Sequence, residues 1–348
     1  MSLEEEDGIK EQEQDELFEH YRIVADKGQG LLRVDKFLFN RIENASRTKI
    51  QAAAQAGNIL VNDKPVKPNY KVKPNDIISV VLSFPPREIE LIPQDIPLDI
   101  VFEDEHIIVV NKSPGMVVHP GYGNYTGTLV NALMYHLKDE PLFSSGELRP
   151  GLVHRIDKNT SGILVIAKNE QALNKLARQF YDRKTDRKYI ALVWGGFDAA
   201  AGAITGNIGR NLRDRKKMAV FPQGEQGKHA VTHFRVLEDY HYVSLVECKL
   251  ETGRTHQIRV HFQHVGHPVF NDVEYGGNII LRGTTSSKYK QFINNCFNLL
   301  PRHALHAKSL GFIHPSTGKE MFFNSELPDD MAGVIEKWKR YVAGREEG

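Results

Sequence analysis

The chain has 348 residues, 41% hydrophobic and 26% charged, enough for two domains that each bury a core. Its net charge of +1 hides a division: the first twenty residues hold nine acids against Lys10 alone, and taking that −8 away leaves a body near +9, suited to a polyanionic partner. Two cysteines, Cys248 and Cys296, without a CxxC pair, exclude a disulfide scaffold or a cysteine zinc site, and no apolar stretch reaches membrane-spanning length.

Residues 1–20 read as a disordered acidic arm, opposite in charge to a secretory signal, so a cytoplasmic chain away from membranes is expected. A compact α/β unit is expected over residues 31–84. In "RVDKFLFNRI", Val34, Phe37, Leu38 and Ile42 share one helical face. A second helix starts at Ser46, a good N-cap, and stops at Gly57. "NILVNDKPV" alternates about an Asn62-Asp63 turn, and "KVKPNDIISVVL" supplies further strands. The stretch carries nine Lys and Arg against four Asp and Glu, with Lys64, Lys67, Lys71 and Lys73 clustered around the hairpin. Arg47 and Lys49 stand in the first turn of the second helix, against its dipole, which a docked phosphate would explain. A solvated basic surface is the plain alternative. The element order, with Gly57, Val61-Asn62 and Asn75-Asp76, resembles the small RNA-binding module of ribosomal protein S-four. That resemblance implies RNA contacts at Arg33, Lys36, Arg47, Lys49, Lys64, Lys67 and Lys71.

Residues 85–92, in a proline-rich stretch, read as a linker, and residues 93–345 as a second domain. There "IIVVNK" and "GMVVHP" suggest paired strands, "GILVIAK" another, and "NEQALNKLARQFYDR" a helix with Leu173, Leu176, Ala177 and Phe180 inward. "KYIALVWG" and "HYVSLVECKL" read as strands, and "THQIRVHFQHVG" as a helix striped by Ile258, Phe262 and Val265 and stopped at Gly266. Without strict βαβ alternation the expected class is α+β, a mixed sheet with flanking helices. Neither GxGxxG nor GxxxxGK[ST] occurs, so no nucleotide cofactor is indicated.

Three chemistries compete for the second domain. A metal hydrolase would use the histidines, but His256 and His261 are five apart, and no acid shares a helix with His261 and His264. Asp272 and Glu274 lie beyond Pro268, so no metal site is expected. Ser161 lacks the G-x-S-x-G elbow of serine hydrolases. Asp157, in "HRIDKNTSG", would by itself be an acid that caps its own turn. With Tyr189 at a strand start and Arg254 and Arg259 around a helix start, it could instead join a site that needs neither metal nor cofactor.

"GLVHRIDKNTSGILVIAK", "RKYIALVWG" and "LETGRTHQIRVHFQHVGHPVFNDVEYG" together resemble the three signature regions of RNA pseudouridine synthases. The branch is the one that modifies large-subunit ribosomal RNA, the ribosomal large subunit pseudouridine synthase D type, and the S-four-like module is its usual companion. "IIVVNKSPGMVVHPGYGN" and "RHALHAKSLGFIHPSTGK" extend the likeness over nearly all of residues 93–330. Departures are Ile156, where leucine is commoner, and "NKSPG", where proline usually follows the lysine; neither is expected to touch the chemistry.

The resemblance implies the pseudouridine synthase fold, with a largely antiparallel sheet, and an isomerase of structured RNA, of large-subunit ribosomal RNA or a pre-ribosomal particle. The enzyme would act as a monomer without cofactor, by aspartate-dependent base flipping in rRNA modification and ribosome biogenesis. It makes Asp157 the catalytic acid, Arg259 its ionic partner, Tyr189 the residue stacked on the base, and Arg155 the filler of the space left by the flipped uridine. Arg254 would contact RNA. Whether Asp157 adds to the base, attacks the sugar or abstracts a proton stays open. So does an RNA-binding or ribosome-assembly module that kept this fold and lost turnover.

Overall fold

The computed structural model describes residues 18–42, 45–82, 91–120, 124–144, 150–211, 217–224 and 226–346. Positions 1–17 of the acidic arm, 83–90 around the linker and 121–123 of the "PGYGN" stretch lie outside the described residues. The chain divides between Glu88 and Ile89 into two compact units.

The first unit runs β1 (Phe18–Val24), β2 (Leu32–Arg33), α1 (Val34–Phe39), α2 (Arg47–Gln55), β3 (Ile59–Val61), β4 (Lys64–Pro65), β5 (Lys71–Val72) and β6 (Ile77–Leu82). Its main sheet is ordered β1-β6-β3-β4, with β2 and β5 paired separately. Val34, Phe37, Leu38 and Ile42 are all buried, although α1 closes at Phe39. Ser46 caps α2, its hydroxyl accepting the Lys49 N–H at 3.2 Å. Asn62 and Asp63 both have left-handed φ, 49° and 62°, as a two-residue hairpin turn following right-handed strand twist requires. Phe18, Glu19 and His20, expected within the acidic arm, instead open β1. There β1 pairs with β6, which would otherwise present a bare edge.

The second unit runs β7 (Ile100–Glu103), β8 (Ile107–Lys112), α3 (Leu129–His136), α4 (Pro141–Ser144), β9 (Ser161–Ala167), α5 (Glu170–Tyr181), β10 (Asp186–Trp194), β11 (Ala201–Arg210) and β12 (Met218–Phe221). It continues with β13 (Lys228–Asp239), β14 (Val243–Leu250), α6 (Gln257–His264), α7 (Ser287–Leu299), β15 (Leu305–Ile313), β16 (Glu320–Asn324) and α8 (Asp329–Glu346). One long sheet is ordered β12-β11-β13-β14-β10-β15-β9-β8-β7, with β16 beside β15. Its pairings are antiparallel except β15 with β9, which confirms a mixed, largely antiparallel α+β fold. The strand β15 lies between the two strands that lead away from Asp157 and carry Tyr189.

Three local expectations are corrected. "GMVVHP" is not a strand: the carbonyls of Val117 and Val118 accept the N–H groups of Leu129 and Val130 at the start of α3, while β8 pairs with β7 and β9. Ala177 is exposed on α5, and Ala172 takes its place in the core. Val265 is 41% exposed, because α6 ends at His264 and Gly266 (φ +84°) turns the chain away. No helix among the described residues is long and apolar enough to cross a membrane.

Candidate active site

Asp157 stands in the loop that enters β9, and that loop is held from outside. Lys112 is 2% exposed, and its Nζ donates to the carbonyls of Ser113 (2.8 Å), Met116 (2.8 Å) and Lys158 (3.0 Å). The Arg302 Nη1 donates to the Asn159 carbonyl at 3.0 Å, and the Thr160 hydroxyl lies 2.8 Å from His303 Nε2. Gly162 has φ +119°, and a Cβ there would fall 2.2 Å from the Ala307 carbonyl oxygen, so only glycine lets β9 approach β15 this closely. Thr160 N–H closes the turn on the Asp157 main-chain carbonyl. The Asp157 carboxylate is turned to Arg259 instead of capping its loop: Oδ2 accepts from Nη1 at 3.1 Å.

Arg259 is buried in the first turn of α6, whose N-cap His256 has a left-handed φ of 54°. Its Nε and Nη2 form a fork on Asp272, at 2.7 and 2.9 Å, and Nη2 also donates to Glu274. The guanidinium carbon lies 5.0 Å from the Tyr275 ring centroid. Burial works against this cation, but the bonds and charges of Asp272, then of Asp157 and Glu274, outweigh it and keep Arg259 charged.

Asp157 feels the same contest from the other side. Burial opposes its ionisation, and His256, Arg259 and His303 pull its pKa below the ordinary 3.8. His303 is itself pushed down to about 3 by burial, and His256 is also lowered. Burial thus disfavours the charged form of both rings, whereas Arg259 keeps its charge and is the fixed cation beside the carboxylate. His256 Nε2 lies 3.9 Å from Asp157 Oδ1, and its Nδ1 is 2.8 Å from the Tyr275 hydroxyl.

Tyr189 comes from β10, opposite Cys248 on β14 and Ala307 on β15. The β10–β15 register shifts between Lys188 and Tyr189, an irregularity of the kind that re-aims a side chain. Burial raises the Tyr189 pKa, so the hydroxyl keeps its proton at neutral pH. Asp157, Tyr189, Arg259, Arg155 and Arg254 all line one cavity of about 670 Å³, within the range of small-ligand sites. Arg155 is exposed on it; Arg254 is half-buried, with Nε donating to the His229 carbonyl at 3.2 Å.

The residues expected to touch RNA in the first unit divide into two groups. Lys36, Lys49, Lys64, Lys67 and Lys71 are exposed and form no ion pair among the described residues. Arg33 and Arg47 are engaged internally: both donate through Nε and Nη2 to Asp35, which is fully buried and also accepts from Gln51. Burial opposes that carboxylate, yet these bonds hold its pKa down to about 2. Asp35 thus supplies a reason for Arg47 at a helix start that needs no phosphate.

Four contributors escaped the sequence reading. Asp272 and Glu274, which the sequence weighs only as metal ligands, both pair with Arg259. Arg302, in "PRHALHAKSLG", holds the Asp157 loop. Lys112, in the "NKSPG" stretch noted only for its departure after the lysine, clamps the same loop. A signal existed for the acids, two carboxylates in the short signature "FNDVEYG". Among the described residues, no three His, Cys, Asp or Glu side chains are grouped to hold a metal ion.

The profile of the family described as RNA pseudouridylate synthase matches residues 106–264, and that of the S4 domain residues 32–78. An RNA pseudouridine synthase of Chlorobaculum parvum, itself described as uncharacterized, is 50% identical over 313 residues, 89% of this chain and 95% of its own. The ribosomal large subunit pseudouridine synthase D of Zymomonas mobilis subsp. mobilis is 44% identical over 305 residues, 86% of this chain and 91% of its own. Among solved structures, human RNA pseudouridylate synthase domain containing 4 shares the fold at a TM-score of 0.51, with 24% identity, over 69% of this chain and 92% of that one.

Proposed function

The chain belongs to the RNA pseudouridine synthase family, an isomerase of RNA, and on that premise we propose that its cavity takes a uridine of large-subunit ribosomal RNA and returns it as pseudouridine without a cofactor. The target class draws support from relatives in Zymomonas and Neisseria that are named for the large ribosomal subunit. The S4 domain and the exposed lysines of the first unit would hold the surrounding RNA by its phosphates.

The reaction breaks the bond from the sugar C1′ to N1 of uracil, turns the base and joins C1′ to C5, and the C5 proton is lost as N1 gains one. Atoms and oxidation level balance within the nucleotide, so no redox partner or group donor is needed. Lifting the base from its stack costs a few kcal/mol, offset by backbone contacts. Arg155, exposed on the cavity, would occupy the space the base leaves, and Tyr189 would stack on it. Asp157 must be ionised whether it adds to the base, attacks the sugar or takes a proton. The observation that carries the proposal is the Asp157–Arg259 pair on the wall of a cavity shared with Tyr189.

The test is to map pseudouridines in ribosomal RNA from cells lacking the protein, with and without its restoration, and to repeat the reaction with purified protein on unmodified transcripts. Specific large-subunit sites should disappear and return, and turnover should survive exhaustive chelation while the RNA stays folded. Unchanged large-subunit sites would refute the target, and turnover that only added metal restores would refute the cofactor-free reaction.

A further inference from the structure

The cavity contains a cation that the chemistry above leaves unused. Arg187 stands two residues before Tyr189 on β10 and lines the same space. It is 9% exposed, pairs with no carboxylate among the described residues, and its Nε is buried without a hydrogen-bond partner. Its guanidinium carbon lies 5.5 Å from the Phe180 ring centroid. Its Nη1 lies against the backbone of Gly253, where a Cβ would come within 3.0 Å of it. Gly253 has no positive φ, so the loop uses this glycine for space, and the space is filled by the guanidinium.

A buried cation without a counter-ion costs stability and calls for an anion from outside. The nearby acids are engaged elsewhere: Asp157 with Arg259, and Glu251 with His233 at 2.6 Å. Arg155, Arg183 and Arg254 line the same cavity and, with Arg187 and Arg259, outnumber its two acids, Asp157 and Glu251, so the lining suits a charged backbone beside an inserted base.

We infer that Arg187 is a binding site for the phosphodiester adjoining the nucleotide held in the cavity, its planar fork donating to the phosphate oxygens past Gly253. This deepens the reading of the cavity as a uridine site and rests on it. The arginine contributes to binding and placement of the nucleotide, while Asp157 remains the group at the reacting atoms.

The test uses the full chain, unmodified large-subunit ribosomal RNA transcripts, and the variants Arg187→Met and Arg187→Lys. Turnover by the parent tests the reading of the cavity; the difference between parent and variants on the same RNA tests Arg187. Arg187→Met should raise the half-saturating RNA concentration about tenfold or more. It should also flatten the dependence of log affinity on log salt by about one. Its melting temperature should equal or exceed the parent's, because an unpaired buried charge has gone. Arg187→Lys should keep the salt slope and regain only part of the affinity. Unchanged half-saturation and slope in Arg187→Met would overturn the inference. So would melting temperatures several degrees low in both variants, which would make the arginine a structural group.

Discussion

Asp157→Asn and Asp272→Asn each remove one negative charge from around the same guanidinium, and they should fail in opposite ways. Asp272 is fully buried and accepts four bonds: two from Arg259, and the N–H groups of Glu274 (3.1 Å) and Tyr275 (3.2 Å). An amide there points a donor at donors. Breaking a buried pair costs about 3–5 kcal/mol, and Arg259 keeps Asp157 and Glu274, so about 3 kcal/mol is expected. At roughly 2–3 °C per kcal/mol for a unit of this size, Asp272→Asn should melt about 6–9 °C low. Asp157 differs. Its side chain is 20% exposed and takes a single Arg259 bond, which an amide oxygen can still accept. It is also one of three carboxylates around one cation, so Arg259 keeps two charged partners when Asp157 is neutralised. Asp157→Asn should stay within about 1 kcal/mol of the parent. Isomerisation should vanish in Asp157→Asn with RNA affinity kept, since affinity comes chiefly from phosphate contacts. It should fall but persist in Asp272→Asn, where Arg259 is displaced and the carboxylate survives. Thermal melts, pseudouridine counts and RNA binding on both proteins decide the matter. Equal destabilisation by the two substitutions would refute this account of the Arg259 cluster.

The turnover rate should stay level as pH falls from about 7 to about 5, because Asp157 is held below the ordinary carboxylate value of 3.8. The stability from its pairing is complete above that value and is lost only as pH drops through the lowered one; a carboxylate midpoint near about pH 6 in the rate profile would contradict this. Lys112→Met strands three carbonyls and should cost about 3 kcal/mol in a melt, with a drop in turnover as the Asp157 loop loosens. A chain beginning at Ile89 should fold and still isomerise uridine, but bind RNA more weakly and with a flatter salt slope. Unchanged affinity and slope would show that the first unit is no RNA anchor.

Periodicity made the elements legible where burial is one-sided. Val34, Phe37 and Leu38 read correctly because a helix on a sheet repeats its apolar face every three to four residues. "GMVVHP" misled because valines that present their carbonyls to a helix start look, in sequence, like valines in a ladder. Ala177 misled for a related reason: it continues an apolar stripe whose outer part lines the cavity. Of the candidate site, Asp157, Tyr189 and Arg259 are legible through their signature stretches, which the fold brings to one cavity. The supporting groups were not. Lys112, Asp272 and Arg302 act through contacts with residues far along the chain, and neither spacing nor propensity encodes which carbonyl a buried lysine will meet.

The position of β15 has a consequence for how the protein is made. This strand separates β9, which follows the Asp157 loop, from β10, which bears Tyr189, yet it leaves the ribosome more than a hundred residues after Tyr189. At about 5–20 residues per second, the two halves of the site wait on the order of ten seconds for the strand that sets their spacing. Until then Gly162 lacks the Ala307 backbone against which it packs. Arg302, which arrives just ahead of β15, has not yet reached the Asn159 carbonyl. A nascent chain can therefore present its RNA-binding unit long before it owns a working cavity, and a product cut short before Leu305 would compete for RNA without modifying it.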